Sequence, residues 1–313
     1  MIRKQPVSNR IKAKKMTHDS IENKLQTIAQ SPLAFMVELK QKYEYATRQN
    51  PEDVDLFWQL GEINRALGNF EAAIDCYSQV LHKCPQHGRA RYIASILQGR
   101  QHSVDRPTDA LHCPAPFLIQ KQFVSTDYNQ SILSLAIEKE SAFVDAKVGA
   151  LAYETVDTTI RSTKILGKSE IGNSLAEFRK KIFENCEHWQ KLLNVTPFTT
   201  GHIELSMLHY QNRQFYQVHK DQGLDETRSR TLTFIYFFYK QPKAFSGGEL
   251  LLYDTDENAH SAGTAFTQIE PENNTLLVFP SQYFHQVTPV QSSFCGFDSG
   301  RFVINGFIHA VST

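Results

Sequence analysis

The chain predicts an α+β fold: a double-stranded β-helix, or jelly roll, with supporting helices, preceded by a small all-α region. Three observations carry this. Apolar residues keep helical spacing from about Leu33 to Leu97. Two further helical stripes follow, around 127–142 and from near Ser169 or Asn173. From Phe198 onward the pattern turns to short alternating runs rich in β-branched and aromatic residues, with Gly, Pro, Asn or Asp between them.

A length of 313 residues suits about two domains, and 41% hydrophobic residues can bury a core. The reading divides the chain into a basic tail over 1–30, a helical region over 31–100, a linker over 101–116 and a jelly-roll domain over 117–313. Charges balance, 33 basic against 33 acidic, which gives no electrostatic footprint for nucleic acid or a membrane surface. The cluster Arg3, Lys4, Arg10, Lys12, Lys14 and Lys15 reads as a solvated terminus rather than a transit peptide. No signal-peptide core or run of about 20 apolar residues occurs. The five cysteines are odd in number and form no CxxC pair, so a cytoplasmic, reduced protein is expected.

In the helical region, Asn50-Pro51 precedes a helix through Leu56, Phe57 and Leu60, and Gly68-Asn69 makes a turn. Phe70, Ala73, Ile74, Tyr77 and Val80 then continue at helical spacing to Cys84-Pro85. Pro51 and Pro85, like Tyr43 and Tyr77, stand 34 residues apart. This resembles a tetratricopeptide repeat, a 34-residue helix–turn–helix. The resemblance implies a surface for a protein partner, or equally a packing module. Pro107, Pro114 and Pro116 mark the linker, and His112-Cys113 within it is too little for a zinc site.

The second domain opens with a strand near Phe117–Val124. The stripe Leu175, Phe178, Ile182, Cys186, Trp189 and Leu193 marks a helix packed on a sheet. Strands are expected at 203–210, 216–219, 231–239, 248–253, 275–279, 285–290 and 301–309. Both faces of Leu232–Tyr239 are apolar, as an inner strand of two packed sheets requires. The loop 254–270 reads either as a lid or as a plain hairpin.

His219 and Asp221 are two apart, so on a strand they share a face. With His285 they make two histidines and one carboxylate, a facial triad that suits non-haem Fe(II). Arg301 beyond them is a natural partner for a co-substrate carboxylate. The triad, Gly247-Gly248-Glu249, Phe279-Pro280-Ser281 and Gly300-Arg301-Phe302-Val303 together resemble the Fe(II)/2-oxoglutarate-dependent dioxygenase superfamily, and within it the prolyl 4-hydroxylase-like group. The resemblance covers about 115–313. It implies that His219, Asp221 and His285 bind Fe(II), and that Arg301 and Tyr210 bind the far carboxylate of 2-oxoglutarate. Tyr216 would line the pocket mouth, and Thr233 or Tyr236 would add cosubstrate contacts. O2 is the second cosubstrate, ascorbate a reductant, and succinate and CO2 are released as a C–H bond is hydroxylated. An aspartate rather than a small residue in the triad argues against halogenation. Arg301 follows His285 by sixteen residues, longer than usual for the group, with the excess in a turn over 291–300.

Substrates implied are a prolyl or other amino-acid residue in a peptide or protein, or a small metabolite. Truncation after about residue 110 is the suggested discriminator. A non-catalytic scaffold and a cupin-like metalloenzyme are the alternatives, and the intact triad with Arg301 argues against both. His188 and His260 read as surface residues; His202, His209 and His309 as packing or solvent-facing. Glu249 reads as a hairpin cap. Arg228 and Arg230 hold either an anionic substrate or only solvent.

Overall fold

The computed structural model describes residues 32–100, 103–108, 111–149, 154–223, 227–294 and 296–311. The basic tail and Cys295 lie outside them. Four helices lead: α1 (Pro32–Gln49), α2 (Val54–Ala66), α3 (Phe70–Lys83) and α4 (Gly88–Leu97). Asp53 caps α2 by accepting the N–H groups of Asp55 and Leu56. Gly61 has room for no side chain, because a Cβ there would stand 2.7 Å from the Tyr77 ring. This close approach joins α2 to α3. Among the described residues, no helix is long and apolar enough to cross a membrane.

The rest is β1 (Leu118–Lys121), α5 (Thr126–Glu138), β2 (Val144–Asp145), β3 (Arg161–Ser162), β4 (Lys164–Leu166), α6 (Lys168–Ile171) and α7 (Ala176–Leu192). Ten strands follow: β5 (Thr200–Tyr210), β6 (Phe215–His219), β7 (Arg230–Phe238), β8 (Ser246–Gly247), β9 (Leu250–Thr255), β10 (Ala262–Ile269), β11 (Thr275–Pro280), β12 (His285–Val287), β13 (Val290–Gln291) and β14 (Arg301–Ala310). The fourteen strands form a seven-stranded sheet, β1-β11-β7-β14-β5-β4-β2, facing a five-stranded sheet, β10-β9-β12-β6-β3, with β13 and β8 as a separate pair. All the pairings are antiparallel, which is the jelly roll expected.

Alternation along β7 divides the core. Leu232, Phe234, Tyr236 and Phe238 face the helices, with Phe178, Ile182, Cys186 and Trp189 of α7. Ile235, Phe237 and Tyr239 face the space between the sheets, with Leu208, Tyr210, Phe279, Val290 and Val303. Full burial of each such apolar side chain contributes roughly 1.5–3 kcal/mol.

Several expectations shift. The expected strand over 285–290 is two strands, broken at Thr288-Pro289. Of the two readings of 254–270, the structure has the hairpin: β9 pairs β10, and the Asp256 carboxylate accepts the N–H groups of Asn258, His260 and Ser261 at its tip. Cys113 to Phe117, expected in or beside the linker, are buried, and Cys113 bridges Thr255 of β9.

The long turn before Arg301 packs Phe297 against Phe143, His209 and Phe302. Its carbonyl lies 2.9 Å from His209 Nε2. Burial holds His209 down at about 4. Between pH 6.5 and 4 the unfolded chain therefore takes up a proton that the folded one does not. Stability falls on acidification through this window, by on the order of 3 kcal/mol. A His209→Phe variant should melt with less change between pH 7 and 5 than the wild type. Equal pH sensitivity would remove His209 as the cause.

Candidate metal centre

His219 ends β6, and His285 opens β12 directly opposite it in the sheet. Asp221 lies two residues past the strand rather than on it. Its N–H donates to the Ser281 carbonyl at 3.2 Å. Asp221 Oδ2 stands 3.3 Å from His285 Nε2, and Oδ1 3.7 Å from His219 Nε2. One ligand atom from each of the three side chains lies within 4.8 Å of the others. No other group of three or more His, Cys, Asp or Glu among the described residues is so arranged.

Both histidines are oriented from behind. His219 Nδ1 is 2.7 Å from the Gln217 carbonyl, and His285 Nδ1 is 3.0 Å from the Tyr283 carbonyl. Only an N–H can bond a carbonyl, so each Nδ1 carries the proton and each Nε2 lone pair points inward. Burial and the neighbouring His285 push His219 down to about 3, so it is neutral at pH 7. Burial alone would raise Asp221, but His285 and His219 outweigh it and hold the carboxylate below its usual range. For His285, burial lowers and Asp221 raises, with a net rise. These donors fit Fe(II).

Tyr216 stacks on His219 with ring centroids 3.5 Å apart. Residues three apart on a regular strand face opposite sides. Here His285 pairs His219 while Val287 pairs Tyr216, so β6 carries an extra residue over this span. The bulge turns both rings to one side. Arg161 of β3 lies over Tyr216 at 4.7 Å.

Arg301 and Tyr210 are direct partners across β14 and β5, both 1% exposed. The guanidinium sits 4.8 Å above the Tyr210 ring and 5.3 Å from that of Phe237. Its Nε, Nη1 and Nη2 are all buried without a hydrogen-bond partner among the described residues. Burial lowers its pKa to about 10, still charged at neutral pH. A buried cation with no acceptor is costly, and an incoming carboxylate would satisfy it. Phe237 beneath it and Thr233 beside Asp221 are four residues apart on one face of β7, about 13 Å at the usual strand rise. Gly248 makes Arg301's position possible: a Cβ there would lie 2.6 Å from Arg301 Cδ. Gly248→Ala should raise the apparent Kd for 2-oxoglutarate, measured by anaerobic titration, about tenfold or more while leaving metal affinity unchanged; a 1.4 kcal/mol displacement of the guanidinium suffices. Unchanged Kd would remove Gly248 from the site.

Of the expected cosubstrate contacts, Thr233 reaches Asp221 instead, at 2.8 Å. Tyr236 faces the helices, its hydroxyl between Asn129 and Asn274. Glu249 is buried and its carboxylate accepts the Thr288 hydroxyl. Arg230 is tied to both Glu204 oxygens and to the Asp221 carbonyl, and Arg228 is exposed. His202 stacks on His309, which also reaches Ser229 and Glu204.

A sequence-family profile described as the 2OG-Fe(II) oxygenase superfamily matches residues 205–309. An uncharacterized PKHD-type hydroxylase of Synechocystis sp. is 31% identical over 222 residues, 70% of this chain and 72% of that one. A prolyl-4-hydroxylase structure from Pseudomonas putida aligns at 17% identity over 63% of this chain and 94% of its own, with a TM-score of 0.43. A prolyl hydroxylase from Trichoplax adhaerens, solved with a hypoxia inducible factor peptide fragment, aligns at 19% identity over 62% of this chain and 83% of its own, TM-score 0.45.

Proposed function

Because this chain belongs to the 2OG-Fe(II) oxygenase superfamily, we propose that His219, Asp221 and His285 hold its Fe(II) and that Arg301, packed on Tyr210, receives the far carboxylate of 2-oxoglutarate. The enzyme is an Fe(II)- and 2-oxoglutarate-dependent hydroxylase. Bound iron supplies the oxidative chemistry that couples decarboxylation of 2-oxoglutarate to C–H hydroxylation, with release of succinate and CO2. The observation that carries the residue assignment is the pairing of an inward-facing triad with a buried arginine that has no hydrogen-bond acceptor among the described residues.

The chain's own share is orientation and exclusion of water. Gln217 and Tyr283 carbonyls keep the imidazole Nε2 atoms unprotonated. Thr233 holds Asp221 as the carboxylate. Arg301 fixes the dicarboxylate by its distal end, and apolar Phe237, Phe279 and Val290 keep the space around it dry.

A polypeptide substrate, hydroxylated at a prolyl or other residue, is the reading that the prolyl hydroxylase neighbours suggest, with a small metabolite as the other class. The helical region would offer a tetratricopeptide-like surface for a protein partner. Ascorbate would serve as reductant and the cytoplasm as the place of work. None of these calls for nucleic acid or a membrane.

The test is anaerobic addition of Fe(II) and then 2-oxoglutarate, watching for the visible metal-to-ligand charge-transfer band. A band that is present in wild type and absent in His219→Ala supports the site. No band in folded, metal-loaded protein would overturn it and leave a ligand-binding scaffold.

A further inference from the structure

Two hydroxyls stand behind Asp221, and both residues that carry them are fully buried: Thr233 and Ser281. Thr233 Oγ1 lies 2.8 Å from Asp221 Oδ2 and 2.9 Å from Ser281 Oγ. A carboxylate has no proton to give, so the Thr233 hydrogen points at Asp221 and the Ser281 hydrogen at Thr233. The donors therefore run one way and polarise each other toward the carboxylate. Ser281 grips the same segment with its backbone. Its carbonyl accepts the N–H of Asp221 at 3.2 Å and of Gln222 at 3.0 Å, and its own N–H donates to Thr231 of β7 at 3.0 Å. Asp221, outside any strand, is thus fixed from β7 and from the residue that follows β11.

The number of metal positions depends on this hold. A carboxylate free to turn can bind a cation through one oxygen or both. Three single-atom donors leave half of an octahedron open, which a keto acid and O2 together require. A second oxygen from Asp221 would fill part of that half. Thr233 already occupies Oδ2 and pulls the carboxylate plane to one side. We propose that Thr233 and Ser281 are positioning residues, a hydroxyl relay that holds Asp221 as a one-oxygen ligand; this rests on the reading of Asp221 as a metal ligand. Neither residue touches the reacting atoms.

Valine keeps the shape of Thr233 and removes only the hydroxyl, and Ser281→Ala breaks the relay one step further back. Full-length protein is titrated anaerobically with Co(II), followed by its visible absorption and by the metal-induced rise in melting temperature. Thr233→Val and Ser281→Ala should bind Co(II) roughly 10–100-fold more weakly than wild type. Their absorption should also change per ion, as exchange of a solvent ligand for a second carboxylate oxygen alters the ligand field. Thr233→Ser, which restores the donor, should return both readouts to wild-type values, and a role in packing alone would not produce that rescue. Equal affinity and equal bands in wild type, Thr233→Val and Ser281→Ala would overturn the relay. His219→Ala serves as the separate control: if it binds Co(II) like wild type, the metal centre itself is misassigned, and the relay falls with it. Should Thr233→Val not fold, Ser281→Ala carries the decision.

Discussion

Asp221→Ala is expected to abolish succinate formation, with residual turnover at least about 1000-fold below wild type. This is the cost usual for losing a group made essential by the transition state, about 4 kcal/mol or more. The reasons are local. The variant removes the carboxylate of the three candidate metal donors and leaves the two imidazoles. It also removes the charge that raises His285, so the imidazole that remains is less basic. Thr233 and Ser281 lose the acceptor that aligns them, and a buried donor is left unpaired. Asp221→Glu tests geometry against charge. It keeps the carboxylate but lengthens the arm past the Thr233 hydroxyl, so it should keep measurable Co(II) binding with a large loss of turnover. Normal succinate formation by Asp221→Ala, checked with 2-oxoglutarate and iron in excess, would defeat the assignment of the triad.

The three candidate metal donors, which the structure brings together, were legible in the chain because the proposed chemistry needs those residue types in that order. The two cores were legible as well, since β7 is apolar on both faces and α7 carries one stripe. What position alone hides is the irregular backbone. Spacing of two between His219 and Asp221 suggests one strand, yet β6 ends at the histidine and Asp221 is held by Ser281. A bulge, invisible in composition, lets Tyr216 stack on His219. Ser281 stood in a recognised segment, but its role needs Thr233, 48 residues earlier, at 2.9 Å. Gly248 reads as a bend and proves to be the space that Arg301 occupies. The extent of β10 is hard to read within the hairpin 254–270, because it is an edge strand rich in small residues. Its burial comes partly from α2, through contacts such as Gln268 with the Leu67 carbonyl.

The same hidden contacts decide what the helical region does for the enzyme. Arg65 of α2 is 1% exposed and Asp254 of β9 fully buried, and they meet in two bonds of 2.6 and 3.0 Å. Arg65 also donates to Thr267 and Glu62, and Arg89 of α4 reaches Asp254 from the other side at 3.2 Å. Burial lowers the Arg65 pKa, but Asp254 and Glu62 outweigh it and hold it well above the usual arginine range. Breaking a buried pair from one side costs about 3–5 kcal/mol, because the other charge stays behind. Arg65→Met should therefore lower the melting temperature by roughly 10 °C. Adding Asp254→Leu should recover part of the loss, since the stranded carboxylate goes with it. A shift below about 2 °C in Arg65→Met would show that the pair is not holding the two parts together. Tyr92 and Ile96 of α4 moreover belong to the core between the sheets. Truncation after residue 110 thus removes part of the jelly roll's own packing along with the partners of Asp254. The shortened chain is expected to melt or aggregate rather than report on substrate. Whether the helices carry substrate has to be asked with exposed positions of α1 such as Tyr45, 65% exposed, changed in the intact chain. Unaltered activity there, with the melt unchanged, would make the helices a fixed buttress of the catalytic domain.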